Sequence, residues 1–357
     1  MTTPSGGGSL AGRGPSLAEA VAALPRARLA TLPTPLEEGP RLRGGARLWV
    51  KRDDLTGLGM GGNKARKLEL LCGAALSEGA DTLVTVGAGQ SNHCRMTAAA
   101  GARLGLPVHL VLGGDPPTQP TGNQLLSALF GAELHFVGTT SWPELEAAKD
   151  ALTASLRADG RRPYAIPIGG STAIGAAGFA AAFAELVDQC QATSCRPQAV
   201  VHASSSGGTH AGLLAGQAIM AATGGAGSGG SAARKALPEV IAVAVAKGML
   251  IDRALTVDLA QETLTLLGWP NLRIEPEDVV VEGGSLGVGY AVPTEEGDAA
   301  LRWAAVHGGW VLDRVYTAKA FAGLLAMAAA GRWGEGDDVV FWHTGGQPAV
   351  FSPGGVP

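Results

Sequence analysis

Lysine is scarce in this chain. Its 357 residues carry 27 basic side chains, of which only seven are lysines: Lys51, Lys64, Lys67, Lys149, Lys235, Lys247 and Lys319. The basic residues form no run and the net charge is −4, so the electrostatic footprint of a nucleic-acid binder is missing. No apolar stretch reaches the roughly 18 residues of a membrane helix. The richest, Ala320–Ala330, is short and carries Gly323. Met1–Pro15 has no apolar core of a signal peptide. The four cysteines (Cys72, Cys94, Cys190, Cys195) show no C-x-x-C spacing, so neither a zinc site nor a disulfide framework is expected. The expectation is a cytoplasmic, reduced protein with no metal, no nucleic acid and no membrane as partner.

Glycine is abundant. Its 54 residues are about twice the usual share, without a collagen period, and imply many tight turns or backbone-lined pockets. A hydrophobic share of 46% excludes a disordered chain, and the length suits about two domains. The first 20 or so residues read as a floppy tail, and Thr223–Ser231 (TGGAGSGGS) as a mobile surface loop.

Short β-branched runs are predicted as strands at Arg47–Lys51, Thr82–Val86, Val108–Leu112, Glu133–Val137, Tyr164–Ile168, Ala199–His202, Val240–Ala246, Val279–Val281, Trp310–Leu312 and Val339–Trp342. Ala- and Leu-rich helical stretches lie between many of them, among them Ala65–Glu78, Arg95–Leu104, Trp142–Ala158, Ala173–Gln191 and Ala211–Ala222. This alternation predicts an α/β protein with mainly parallel sheets. Glycine clusters follow strands at Gly57–Lys64, Gly87–His93, Ser204–Thr209, Glu282–Gly289 and His343–Gly346. Ligands of open α/β sheets bind beyond the carboxyl ends of strands, so these clusters are the candidate walls of one crevice.

Three motifs compete. Gly57–Lys64 approaches a P-loop, but Asn63 separates Gly62 from Lys64 and Ala65 offers no hydroxyl for magnesium. Gly283-Gly-Ser285-Leu-Gly287 satisfies G-x-S-x-G, with Asp313 and His343 following in hydrolase order, yet the next residues read as a loop where an elbow needs a helix. Gly87–His93 joins a strand to the helix from Arg95 and suits a small carboxylate at a helix N-terminus.

A lysine that attacks an aldehyde needs a concave, partly desolvated place that lowers its pKa. Lys149 lies on a polar helix face, Lys235 adjoins the glycine loop, and Lys67 shares a helix with Arg66 and Glu69 and reads as solvent-facing. Lys319 opens a helix and Lys247 follows a strand. Lys64 stands at a helix start behind a glycine-rich loop, where the helix dipole disfavours the ammonium, and is the chosen candidate.

The runs Lys51-Arg-Asp-Asp-Leu-Thr56, Gly61-Gly-Asn-Lys64-Ala-Arg66-Lys-Leu-Glu69 and Gln90-Ser-Asn-His93 resemble the D-cysteine desulfhydrase and 1-aminocyclopropane-1-carboxylate deaminase family. Ile168–Ser171, Ser206–Gly212, Gly289–Pro293, Val315–Ala320 and His343–Gly346 continue the match in family order. The resemblance implies a pyridoxal-phosphate enzyme of the tryptophan-synthase β fold: two open twisted, mainly parallel sheets flanked by helices. It implies a tail at 1–25, a larger cofactor-binding domain of 26–66 plus 170–357, a smaller inserted domain of 67–169, and a homodimer. Lys64 would bond the cofactor's aldehyde. Ser206, Gly207, Gly208 and Thr209 would cradle its phosphate. Asn92 would face the ring oxygen, and Thr317 or Thr344 the pyridine nitrogen. Ser91 with the backbone of Asn92 and His93 would hold the substrate carboxylate, with Tyr290 and Tyr316 as proton donors or acceptors. Without the resemblance, Ser91 is a helix cap, Thr344 a turn residue, both tyrosines ordinary buried ones, and His93, His210 and His343 structural donors.

The reaction so implied is an α,β-elimination of a small amino acid. The freed Lys64 amine removes the Cα proton, the Cβ leaving group departs, and aminoacrylate hydrolyses to pyruvate and ammonia. Deaminases of the family carry Glu at position 317 and Leu at 344. Threonine at both favours D-cysteine, with sulfide leaving, over the cyclopropane substrate. Arg314 in place of the family's proline leaves an acidic substrate such as L-cysteate open, against its plainer reading as a surface arginine. Cys94 beside His93 reads as a buried spectator or a reactive thiol.

Overall fold

A computed structural model describes residues 14–224, 234, 236–247 and 253–355. The glycine loop expected at Thr223–Ser231 lies beyond Gly224 outside the described residues, as does Lys235. In chain order the elements are α1 (Leu17–Ala22), β1 (Leu36–Arg41), β2 (Arg47–Arg52), α2 (Lys64–Ser77), β3 (Thr82–Ala88), α3 (Asn92–Leu104), β4 (Val108–Gly113), α4 (Gly122–Leu129) and β5 (Glu133–Phe136). There follow α5 (Trp142–Ala158), β6 (Pro163–Ile166), α6 (Ala173–Ala192), β7 (Pro197–Ser204), α7 (Gly208–Thr223) and β8 (Glu239–Ala244). The described chain closes with α8 (Ala254–Leu266), β9 (Val280–Glu282), α9 (Glu295–Gly308), α10 (Thr317–Ala329) and β10 (Asp338–His343).

Two sheets result. One has four strands in the order β5-β4-β3-β6, all parallel; the other has six in the order β1-β2-β10-β7-β8-β9, parallel except for the β1–β2 pair. β10 (DVVFWH) is buried along its whole length, as a central parallel strand between two helical layers must be. On one face of the larger sheet, α6 and α7 pack almost backbone to backbone. A Cβ on Gly212 or Gly216 would lie 2.2 Å from the Ala176 carbonyl oxygen or 2.7 Å from that of Ala180. Part of the glycine excess therefore serves helix contact rather than turns.

Three expectations change. Leu17–Ala22 is a helix capped by Ser16, with Leu17, Ala20 and Val21 buried against the core, so a tail does not run through residue 25. Trp310–Leu312 joins no sheet. Its alternation records burial of Trp310 and Leu312 in the core, not strand pairing. β1 (LEEGPR) was not foreseen, because a polar edge strand with glycine and proline lacks the apolar signal. One helix, Ala173–Ala192, is long and apolar enough by length and composition to cross a bilayer. Here it is a core helix, with Asp188 exposed and Glu185 paired with Arg66 and Lys51.

Candidate active site

The carboxyl ends of both sheets point at one cavity. β3 delivers Gly87 and the turn to Ser91, β7 delivers Ser204 and the turn to Gly207, and β10 delivers Thr344. α2, α3 and α7 each begin at this cavity, so three helix N-termini, with their free N–H groups and positive dipole ends, converge on it. Among the described residues no carboxylate lines it; the formal charge in its wall is Lys64.

Lys64 is the first residue of α2. The loop before it folds back tightly: Thr56 Oγ1 donates to the Gly62 carbonyl at 2.8 Å and accepts from Gly62 N at 2.9 Å. Gly61 has φ +75°, and a Cβ there would lie 1.8 Å from the Asp54 carbonyl oxygen, so this position admits only glycine. Asn63 N donates to the Thr344 carbonyl at 2.9 Å, which ties the loop to the end of β10. Two residues on, the Arg66 guanidinium binds Asp53 at 2.8 Å and Glu185 at 2.8 Å. Lys51 donates to the Thr34 carbonyl and Gln189 Oε1, both at 2.6 Å, and also to Glu185. Burial alone would raise the Glu185 pKa, but Arg66 and Lys51 overcome it and hold the carboxyl down at about 2. The Lys51–Asp54 motif thus anchors α2 rather than reaching the cavity.

Burial, with no opposing carboxylate, lowers the Lys64 amine to about 8. Of the two causes expected from the sequence, desolvation and the helix dipole, burial is the one that acts here. Lys67, read from sequence as solvent-facing, is fully buried. Its ammonium donates to the Gly169 carbonyl at 3.1 Å and contacts Ser171 Oγ at 3.4 Å. Burial first, and then the Lys64 charge, push its pKa well below the ordinary value. A Cβ on Gly208 would lie 2.6 Å from that ammonium. Ser171 Oγ in turn bonds Ser206 Oγ at 2.8 Å. A second buried amine, with no carboxylate partner among the described residues, thus backs the Ser206–Thr209 turn, and sequence reasoning missed it.

Ser91 caps α3, accepting from Cys94 N at 3.2 Å, and also faces the cavity. Asn92 Oδ1 accepts from Asn123 Nδ2 at 2.9 Å, and Asn123 is itself held by Arg95 Nε at 3.0 Å. The Asn92 amide donor is thereby left for the cavity. Thr85 Oγ1 donates to the Ile166 carbonyl at 2.9 Å, so it accepts from His93 Nε2 at 2.9 Å; His93 is the Nε2–H tautomer with Nδ1 free. Burial, then the charges of Lys64 and Lys67, keep that ring neutral.

The hydroxyls of Tyr290 and Tyr316 bond each other, and burial raises the Tyr290 pKa to about 12. Tyr290 also meets the Trp142 ring edge-on at 5.5 Å, and Trp142, at the start of α5, completes the wall. The Asp313 carboxylate accepts from the backbone N–H of Val315, Tyr316 and Thr317 at 2.9–3.0 Å and so presents Tyr316. Lys319 donates to the carbonyls of Leu286 (2.8 Å) and Gly289 (2.9 Å) and pins the loop that carries Tyr290.

The two threonines part company. Thr344 lines the cavity; Thr317 is fully buried, and its hydroxyl is engaged with Asp313 at 2.8 Å. Gly208 likewise supports the turn without lining the cavity. Arg314 pairs with Asp298 and donates to the Gly354 carbonyl, away from the cavity wall. Burial pushes the Cys94 thiol up to about 12, which makes it inert. Ser285 sits in a turn against Gly323, with no helix following, so the nucleophile elbow of a hydrolase does not form.

A phosphorylated aldehyde needs N–H donors, cations and an amine free to attack. The glycine turn at α7, the Lys67 amine behind it, which an anion in the turn would hold protonated, and Lys64 beside it meet those needs. The fold and this cavity define an enzyme that works through such a cofactor. The chain belongs to the pyridoxal-phosphate dependent enzyme family, whose model matches residues 27–345. It is 39% identical to the D-cysteine desulfhydrase of Serratia proteamaculans (strain 568) over 94% of this chain and 98% of that one. It is 38% identical to that of Salmonella typhi over 92% and 96%. The crystal structure of an ACC deaminase homologue, 35% identical, superposes with a TM-score of 0.82 over 94% of this chain and 96% of the other. A threonine deaminase from Solanum lycopersicum (the processed form of isoform 2), 20% identical with a TM-score of 0.63 over 92% of this chain and 83% of that one, shares the fold.

Proposed function

We propose that this enzyme catalyses α,β-elimination of D-cysteine to pyruvate, sulfide and ammonia. The observation that carries the reading is the cavity itself. A single amine, Lys64, stands between two helix N-termini suited to two anions, with a tyrosine pair on the wall and no carboxylate in it among the described residues. The identity to D-cysteine desulfhydrases over nearly the whole chain supports the substrate.

Ser206, Gly207 and Thr209, backed by Gly208 and Lys67, would hold the cofactor phosphate, and Asn92 the ring oxygen. Pyridoxal phosphate, when bound, supplies the sink for the electron pair released at Cα. Ser91 and the N–H groups of Asn92 and His93 would bind the substrate carboxylate. Lys64 would accept the Cα proton, and the Tyr290–Tyr316 pair would deliver a proton to the departing sulfur as the Cβ–S bond breaks. The aminoacrylate left behind takes up water and yields pyruvate and ammonia. Thr344, which lines the cavity, would offer the ring nitrogen a neutral hydroxyl, which suits rapid departure of a good leaving group better than a long-lived carbanion. Arg314, committed to Asp298, offers nothing to a sulfonate.

The smaller sheet is built wholly from residues 82–166, which supports a domain division of 26–66 plus 170–357 against 67–169. The four buried free cysteines suit a cytoplasmic enzyme, and the family resemblance supports a homodimer.

The test is a side-by-side assay of the cofactor-loaded protein with D-cysteine, L-cysteine, L-cysteate and 1-aminocyclopropane-1-carboxylate. Pyruvate with equimolar sulfide from D-cysteine is expected. α-Ketobutyrate from the cyclopropane substrate as the main product would overturn the role given to Thr344.

A further inference from the structure

We propose that His109, Glu133 and His135 form a binding site for one divalent transition-metal ion of the zinc class, remote from the cavity. Glu133 and His135 are two apart on β5 and share a face, and His109 on β4 is the direct register partner of Glu133. The pairing pattern thus puts all three side chains together. None of the three lines the cavity: they sit on β4 and on the edge strand β5, whereas the cavity is walled by Val86–Ala88 of β3.

The ligand atoms converge. His109 Nδ1 is 3.1 Å from His135 Nε2 and 3.3 Å from Glu133 Oε2, and His135 Nε2 is 3.4 Å from Glu133 Oε1. Bonds of about 2.0–2.1 Å at a tetrahedral ion place neighbouring ligand atoms about 3.3–3.4 Å apart. The two nitrogen–oxygen separations match that edge length, each to a different oxygen of the carboxylate, and one ligand atom from each residue lies within 4.8 Å of the other two. A plain hydrogen bond between the rings would account for the first distance but leaves the carboxylate facing both nitrogens unexplained. Two imidazoles and one carboxylate suit zinc-class ions and not magnesium or calcium, which prefer all-oxygen shells. Three protein ligands on a half-exposed face leave the fourth position to water. The bound ion would clip the edge strand β5 to β4.

The experiment is calorimetric titration of tag-free, cofactor-loaded protein with zinc chloride, alongside thermal unfolding with and without zinc. Wild type is expected to bind one equivalent more than the His109→Ala/His135→Ala variant and to show a zinc-dependent rise in Tm that the variant lacks. Glu133→Gln should weaken that equivalent by about tenfold or more. Far-UV circular dichroism checks that the double variant is folded; if it is not, His135→Gln carries the same comparison. Equal stoichiometry and equal Tm response in wild type and variant would overturn the proposal, as would the absence of zinc binding by the wild type.

Discussion

At the scale of single residues, two lysines one helical turn apart have different work. Lys64 reaches into the cavity and Lys67 stays behind the phosphate turn. Replacing Lys64 by alanine should abolish the visible absorbance of a lysine-bound cofactor and lower elimination by about three orders of magnitude or more. Retained absorbance in that variant would remove Lys64 from its role. Replacing Lys67 by methionine should keep the absorbance at saturating cofactor but weaken cofactor affinity by about 10- to 100-fold, the range of a lost charge-assisted hydrogen bond. Equilibrium titration of the apo-protein reads this directly. Lys64 was legible from sequence, because a glycine-rich loop before a helix is a local signal. Lys67 was not, because the residues that bury it, Gly169, Ser171 and Gly208, lie more than a hundred positions away.

At the scale of elements, the site depends on turns held at strand ends. The loop carrying Tyr290 has no regular structure and is fastened to α10, which begins directly after Tyr316, through Lys319. Lys319→Met should therefore leave cofactor absorbance and affinity unchanged while lowering kcat by about tenfold, as the tyrosine pair loses its alignment. Unchanged kcat would mean the loop holds itself. The strands and helices that shape these turns were largely readable, since long periodic segments such as Trp142–Ala158 carry their own signal. β1 was lost because its residues look polar, and Trp310–Leu312 was misread because alternating burial does not require a ladder partner.

At the scale of the whole molecule, burial of neutral histidines couples stability to pH. His93, His202 and His210 all have pKa values lowered chiefly by burial, His202 to about 4. In the unfolded chain these rings take up protons near pH 6.5; in the folded chain they do not. The unfolded state thus binds more protons, and stability is lost as pH falls below about 6.5, by up to about 1.4 kcal/mol per pH unit for each ring. Glu185 acts in the same direction at lower pH, since its carboxyl is held down at about 2. Urea unfolding of the apo-protein at pH 7.5 and pH 5.5 checks the sign, and equal midpoints would refute it.

What this sequence determined by itself was local: the α/β alternation, the glycine turns after strands, the helix starts at Lys64 and Ser91, and the order of the family's motifs. These depend on residues a few positions apart, where backbone preference and periodicity act. What only the tertiary structure decided was which of several equivalent-looking residues meet. Thr344 enters the cavity while Thr317 is spent on Asp313, and Arg314 turns to Asp298. Trp142 and Asn123 join the site from segments that carry no motif. Those outcomes rest on burial and pairing between distant elements, whose free energies no local stretch of chain contains.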